Sequence, residues 1–263
     1  MKLPAAKVLL TGASGGLGRA LAVALRAAGA DLVLTGRREA TLDELAARTA
    51  ARVLVADLSD PADVGRLAAE AEACDVLVAN AALPASGRIE TYDAAGIDRA
   101  LDVNLRAPIQ LSRAAVPAMV ARRRGHILLV SSLSGLAASP ESSLYAATKF
   151  GLRGFGLALR QDLAGTGVGV SVLLPGFISE AGMFADSGAK LPPGVGTRTP
   201  AQVAGAGVRA IERDTPEVAV APLPVTAGAY VATLVPGPAG RVQRLLGGAA
   251  TASRVAAGQL DKR

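Results

Sequence analysis

Lys7-Val-Leu-Leu-Thr-Gly12-Ala-Ser14-Gly15-Gly16-Leu17-Gly18 decides how the rest of the chain is read. A short apolar run meets a glycine turn, and an alanine-rich helix follows until Gly29 closes it. Strand, glycine turn and helix form the first half of a βαβ unit. Glycines let the backbone approach a pyrophosphate, while the helix start offers free N–H groups and the positive end of its dipole. The spacing Thr-Gly-x-x-x-Gly-x-Gly is not the G-x-G-x-x-G of the commonest dinucleotide fold, and tight helix packing alone would also use such glycines. Between a strand and a helix, the loop predicts nucleotide binding by Gly12, Ser14, Gly15, Gly16, Leu17 and Gly18.

Outward from this loop, strand-like and helix-like segments alternate. Apolar runs follow at Asp31-Leu-Val-Leu-Thr35, Arg52-Val-Leu-Val-Ala-Asp57-Leu58, Cys74-Asp-Val-Leu-Val-Ala79 and His126-Ile-Leu-Leu-Val-Ser-Ser132. Further runs lie at Gly167-Val-Gly-Val-Ser-Val-Leu-Leu174 and Glu217-Val-Ala-Val-Ala221. The pattern predicts one α/β domain, a doubly wound parallel sheet of about seven strands with helices on both faces. The tip of the second strand reads Gly36-Arg37-Arg38. An acidic residue there would hold the adenosine ribose hydroxyls of NAD, whereas arginine pairs with a 2′-phosphate. Asp31 lies at the wrong end of that strand and Glu39 follows both arginines, so the sequence favours NADP(H) over NAD(H).

The second stretch that carries chemistry is residues 132–149, from Ser132 to Tyr145-Ala-Ala-Thr-Lys149. Four residues apart on a helix, Tyr145 and Lys149 project from one face. A nearby ammonium favours the phenolate and lowers a tyrosine's ordinary value of about 10, which suits a general acid or base. Ser132 ends a strand, where open α/β sheets bind ligands. Together with the glycine loop, these residues resemble the short-chain dehydrogenase/reductase family over about residues 5 to 220.

The resemblance implies strand order 3-2-1-4-5-6-7 and reversible hydride transfer between NADP(H) and a carbonyl or secondary alcohol. It assigns Ser132 to the substrate oxygen, Tyr145 to proton exchange and Lys149 to the tyrosine and the nicotinamide ribose. Asn104, within a helix expected over residues 91–124, completes a tetrad by holding a water that links Lys149 to solvent. Asp57 and Leu58 would meet the adenine, Asp57 otherwise serving as a helix cap beside Ser59, Asp60 and Pro61. Asn80 and Ala81 would lie beside the cofactor, although Ala79 and Ala82 depart from the family's Asn-Asn-Ala-Gly. Pro175, Gly176 and Ile178 match a Pro-Gly-x-x-x-Thr turn whose threonine position holds Glu180, with Ser179 as a substitute.

Residues 181–199 include Leu191-Pro-Pro-Gly-Val-Gly-Thr, a glycine- and proline-rich insertion of the kind used as a lid. Ser132, Leu133, Leu136, Phe177, Met183 and Phe184 predict an apolar substrate pocket. We read residues 1–221 as the catalytic domain and 222–263 as its extension. The extension is rich in Ala and Gly, with Arg241, Arg244, Arg254, Lys262 and Arg263 against Asp261. It would close the pocket or form a subunit interface, with a membrane-surface patch as the alternative.

Composition narrows the remaining classes. The charge is +6, but Lys and Arg are scattered and aromatics are 3%, which argues against specific nucleic-acid binding. One cysteine, Cys74, allows no disulfide framework, and a single histidine, His126, cannot build a histidine metal cluster. No signal peptide or membrane-spanning run is visible, so the expectation is a cytoplasmic enzyme without a metal, acting on a hydrophobic small molecule. Family habit adds a homodimer or homotetramer. Alternatives are a 3-oxoacyl reductase docking an acidic carrier on residues 122–124, a non-catalytic NADP(H) sensor, and a longer sugar-nucleotide epimerase or dehydratase relative.

Overall fold

The computed structural model describes residues 1–189, 191, 195–245 and 248–259. From the first apolar run, β1 (Lys7–Leu10) leads to α1 (Gly16–Ala27), β2 (Asp31–Gly36), α2 (Glu39–Thr49), β3 (Arg52–Val55), α3 (Pro61–Ala73) and β4 (Val76–Ala79). The second half continues with α4 (Ala94–Leu101), α5 (Ala107–Ala121), β5 (Gly125–Val130), α6 (Ser143–Asp162) and β6 (Val168–Pro175). Then come α7 (Met183–Asp186), α8 (Pro200–Arg213), β7 (Glu217–Val220), α9 (Leu223–Leu234), α10 (Pro236–Leu245) and α11 (Gly248–Ala257).

All seven strands pair in parallel in the order β3-β2-β1-β4-β5-β6-β7, the order the resemblance implied. Val8 of β1 lies beside Leu32 of β2 and Val76 of β4, so the order reverses at β1 and opens a crevice at the strand C-termini. Central strands are apolar on both faces because helices cover both. Val8, Leu10, Val78 and Leu128 pack with α1, α2 and α8, whereas Leu9, Leu77, Ile127 and Leu129 pack with α3, α5 and α6.

Caps set several boundaries. Asp60 accepts the Ala62 N–H at 2.9 Å ahead of Pro61, taking the cap role from Asp57. Thr199 and Gln202 form a reciprocal capping box ahead of Pro200, as the Thr-Pro start predicts.

One expectation is corrected. Residues 91–124 do not form one helix: a 3₁₀ turn at Ile89–Thr91, α4, a π-helical stretch at Asp102–Arg106 and α5 replace it. Apolar periodicity hardly registers the single extra residue of a π turn, a feature frequent at functional sites.

Arg122 and Arg123 are used structurally at the end of the sheet opposite the crevice. Arg122 donates to the Cys74 carbonyl and faces Asp75 at 3.7 Å, and Arg123 donates to the Gly165 carbonyl at 3.3 Å. They precede Gly125, where β5 begins, while Ser132 lies past its other end. A carrier docked there would be a full strand length from the chemistry.

Candidate active site

The glycine loop is shaped by two close approaches. Gly12 has φ +65°, and a Cβ there would lie 2.6 Å from the Ala81 Cα, while one on Gly18 would lie 2.1 Å from the Gly12 carbonyl oxygen. Only glycine fits both. Gly15 caps α1 with no side-chain hydrogen bond, leaving the first-turn N–H groups for an anion. Asn80 braces the loop from β4, its Nδ2 donating to the Thr11 and Gly12 carbonyls at 3.0 and 3.2 Å.

At the tip of β2, Arg38 donates to the Ser14 carbonyl at 2.6 Å, and half-exposed Arg37 faces Asp57 at 3.8 Å. Burial works to raise the Asp57 carboxyl, but hydrogen bonds from Ser59 and the charge of Arg37 outweigh it and hold the carboxyl below its usual range. The Thr35 hydroxyl lines the same space, buried and without a partner. An uncapped helix start, a glycine cradle and an orphaned hydroxyl fit a dinucleotide.

The crevice continues into one cavity of about 1400 Å³. Every residue the sequence assigned to the cofactor lines it, including Leu58, Ala81, Pro175, Gly176 and Ile178. Ser132, Leu133, Phe177, Met183 and Phe184 line its other end. Leu136 does not: it is buried beneath Leu133 with Val172 and Leu174. Ser179 and Glu180 also fall outside the lining. The Ser179 N–H is held by the Arg198 carbonyl at 3.0 Å, and exposed Glu180 adopts φ +68°.

Tyr145 sits in the first turn of α6, its N–H on the Ala85 carbonyl at 3.2 Å and its hydroxyl hydrogen-bonded to Ser132. Ser132 Oγ accepts the Ser134 N–H at 3.0 Å, and its own O–H reaches the Pro175 carbonyl at 3.5 Å. One turn on, fully buried Lys149 donates Nζ to the Val130 carbonyl at 3.0 Å, and this nitrogen stands 5.6 Å from the Tyr145 ring centre. Burial dominates both groups. It pushes the tyrosine up to about 12 against the Ser132 hydrogen bond, and pulls the lysine down to about 8. Desolvation, opposed by the Ser132 hydrogen bond, sets the direction of the tyrosine's shift.

Asn104 lies in the π-helical stretch, fully buried. Its Oδ1 accepts the Leu83 N–H at 2.7 Å, and its Nδ2 donates to the Leu83 carbonyl at 3.0 Å and reaches the Thr148 hydroxyl at 3.5 Å. Thr148 in turn donates to the Tyr145 carbonyl at 2.8 Å. Asn104 therefore ties the loop after β4 to the catalytic helix and does not itself line the cavity.

The short chain dehydrogenase family model matches residues 6–191. The chain belongs to the short-chain dehydrogenase/reductase family. A ketoacyl reductase of Nostoc sp. is 36% identical over 228 residues, covering 83% of this chain and 79% of its own. A short-chain dehydrogenase of Sphingobium yanoikuyae, solved with NADPH, is 28% identical with TM-score 0.76, covering 92% of this chain and 95% of its own. A ketone-specific alcohol dehydrogenase of Comamonas testosteroni superposes with TM-score 0.72 at 25% identity, covering 81% of this chain and 85% of its own. This short-chain dehydrogenase/reductase is an oxidoreductase with a nucleotide-binding Rossmann-like fold.

The sequence missed how this short-chain dehydrogenase/reductase roofs its cavity. Phe184 of α7 packs on Phe177, ring centres 5.0 Å apart, and the Gln259 amide donates to the Met183 carbonyl at 2.8 Å. Val225, Ala229 and Val255 of the following helices complete the lining. Alanine-rich segments carry no signal for such contacts beyond their hydropathy. Lid positions 190 and 192–194, and the tail charges Asp261, Lys262 and Arg263, lie outside the described residues.

Proposed function

We propose that this enzyme interconverts a ketone or aldehyde and its alcohol on a hydrophobic small molecule, using NADP(H) in preference to NAD(H). The observation that carries this is one cavity joining two features. Arg37 and Arg38, without an acid at the β2 tip, stand at one end, and the Ser132–Tyr145–Lys149 group faces apolar walls at the other. Gly12, Gly15, Gly16 and Gly18 with the start of α1 would hold the pyrophosphate, Arg37 and Arg38 the 2′-phosphate, and Lys149 the nicotinamide ribose. The cofactor, when bound, supplies or takes the hydride.

The protein handles the proton. Ser132 turns its O–H from the long contact with the Pro175 carbonyl to the substrate oxygen and holds that oxygen against Tyr145. In its buried setting Tyr145 stays protonated near neutrality, so it enters carbonyl reduction as the acid. Below about pH 8 Lys149 is an ammonium, and it stabilises the phenolate left behind. Asn104 keeps Tyr145 and the loop after β4 in register, and the water relay to Lys149 belongs beside it. The lid, the tail and the apolar walls exclude bulk water, and self-association through α5 and α6 fits the exposed Phe150 of α6.

A second reading, reduction of a 3-oxoacyl thioester, rests on the likeness to the Nostoc ketoacyl reductase. Residues 122–124 would dock the acidic carrier of such a substrate, and reversing their charges should then raise the KM for the carrier-linked substrate alone. NADPH and NADH oxidation against hydrophobic ketones, aldehydes and 3-oxoacyl thioesters separates the two readings by which compounds are consumed. Tyr145→Phe should retain NADPH binding and lose turnover by about 10²-fold or more. Undiminished turnover in that variant would remove Tyr145 from the reaction.

A further inference from the structure

We propose that the outer face of α9 and α10 docks on the surface of an anionic phospholipid bilayer. Of the ten large apolar side chains exposed among the described residues, seven lie between Leu223 and Leu245. Scattered exposed apolar residues are ordinary, but a concentration of this kind marks an interaction surface. On α9, Leu223, Val231 and Leu234 recur at helical spacing and are 78%, 54% and 82% exposed. On α10, Val242 and Leu245 continue the face at 53% and 86%. α9 carries no charged residue on any face.

Charge selects the occupant. Between Glu217 and Asp261 the sequence holds no acid and three arginines, Arg241, Arg244 and Arg254, all exposed. Glu217, which accepts the Tyr230 hydroxyl, is already paired with Arg153 at 2.5 Å. Glu141 accepts the Ser253 hydroxyl from α11. A second copy meeting this face across a twofold axis would set arginines against arginines around an apolar centre. An apolar face rimmed by cations instead matches anionic headgroups over acyl chains. Val225 and Ala229 of α9 line the cavity from within, and the exposed Val231, Val235 and Val242 line it as well and so stand at its mouth within the docked face, where a substrate dissolved in the lipid would enter. That last clause rests on the hydrophobic substrate proposed above, whereas docking itself is read without turnover.

The experiment is co-sedimentation of the full chain with phosphatidylcholine vesicles, with and without phosphatidylglycerol. The wild type should pellet with the anionic vesicles and at least about tenfold less with neutral ones. Leu234→Ser with Leu245→Ser, and separately Arg241→Gln with Arg244→Gln, should each weaken binding by about tenfold or more. Neither pair lines the cavity, so both variants should keep wild-type melting curves and wild-type NADPH oxidation with a water-soluble ketone. Vesicle binding without NADPH turnover in any variant would leave the docking face standing and remove the reaction. Absence of pelleting, indifference to the anionic lipid, or indifference to the arginine substitutions would overturn the proposal. So would a wild-type dimer, by sedimentation velocity, that Leu234→Ser with Leu245→Ser dissociates, because a second copy would then cover the face.

Discussion

Arg37 and Arg38 are neighbours in sequence but hold different things. Arg38 is hydrogen-bonded to the Ser14 carbonyl and so to the glycine loop, whereas Arg37 stands half-exposed beside Asp57 and is free to turn to a phosphate. Losing a charge-assisted contact to phosphate costs about 1.5–3 kcal/mol, roughly tenfold to a hundredfold in affinity. Arg37→Ala should therefore raise the KM for NADPH at least about tenfold while changing that for NADH little, and Arg38→Ala should raise both. Steady-state kinetics with each cofactor reads the split, and an equal effect of Arg37→Ala on both would make that arginine structural. Residue types at this scale were legible from spacing alone. Ionisation was not, because spacing places Lys149 beside Tyr145 without revealing how much water each loses. Nor was the orientation of Ser179 and Glu180, which backbone conformation decides.

At the scale of elements, alternating apolar runs and Pro or Thr starts marked strands and caps well, because each rests on contacts within a few residues. Contacts between distant segments left no such mark. Gln259 meets the Met183 carbonyl across 76 residues, and Asn104 meets Leu83 across 21. The π-helical stretch matters because it lets a buried Asn104 face the loop after β4, using both ends of its amide. Asn104→Ala would leave a buried Leu83 N–H and C=O without partners, a loss of about 2–3 kcal/mol in unfolding free energy. Urea titration measures that loss. If Asn104 also positions Tyr145 through Thr148, kcat should fall further than KM rises in the protein that remains folded. A stability loss with unchanged kcat would confine Asn104 to holding the loop.

For the whole molecule, the sheet followed from a sequence whose apolar runs are continuous where both faces are covered, and its strand order from the family resemblance. A lid and an extension closing the pocket were expected, but their contacts were not, since α9 to α11 are apolar on faces that other elements leave open. One buried titratable group outside the site gives the fold a pH dependence of its own. His126 is the second residue of β5, at the end of the sheet opposite the crevice, its Nε2 within 2.9 Å of the Ser171 hydroxyl. Burial pulls the imidazole down to about 4, although Asp214 at 3.9 Å, itself held low by Arg160, acts to raise it. An unfolded histidine titrates near 6.5, so as pH falls the unfolded chain takes up this proton first. The contribution of neutral His126 is then full above about pH 6.5 and is lost progressively down to about pH 4, worth about 3 kcal/mol over that window. His126→Gln keeps a polar partner for Ser171 and removes the titration. Urea unfolding free energies measured from pH 7 to pH 4 should decline less steeply in this variant than in the wild type. Parallel declines would remove His126 as the source of acid sensitivity in this window, because Asp57 and Asp214, whose folded values lie below the usual range, lose their stabilisation at still lower pH.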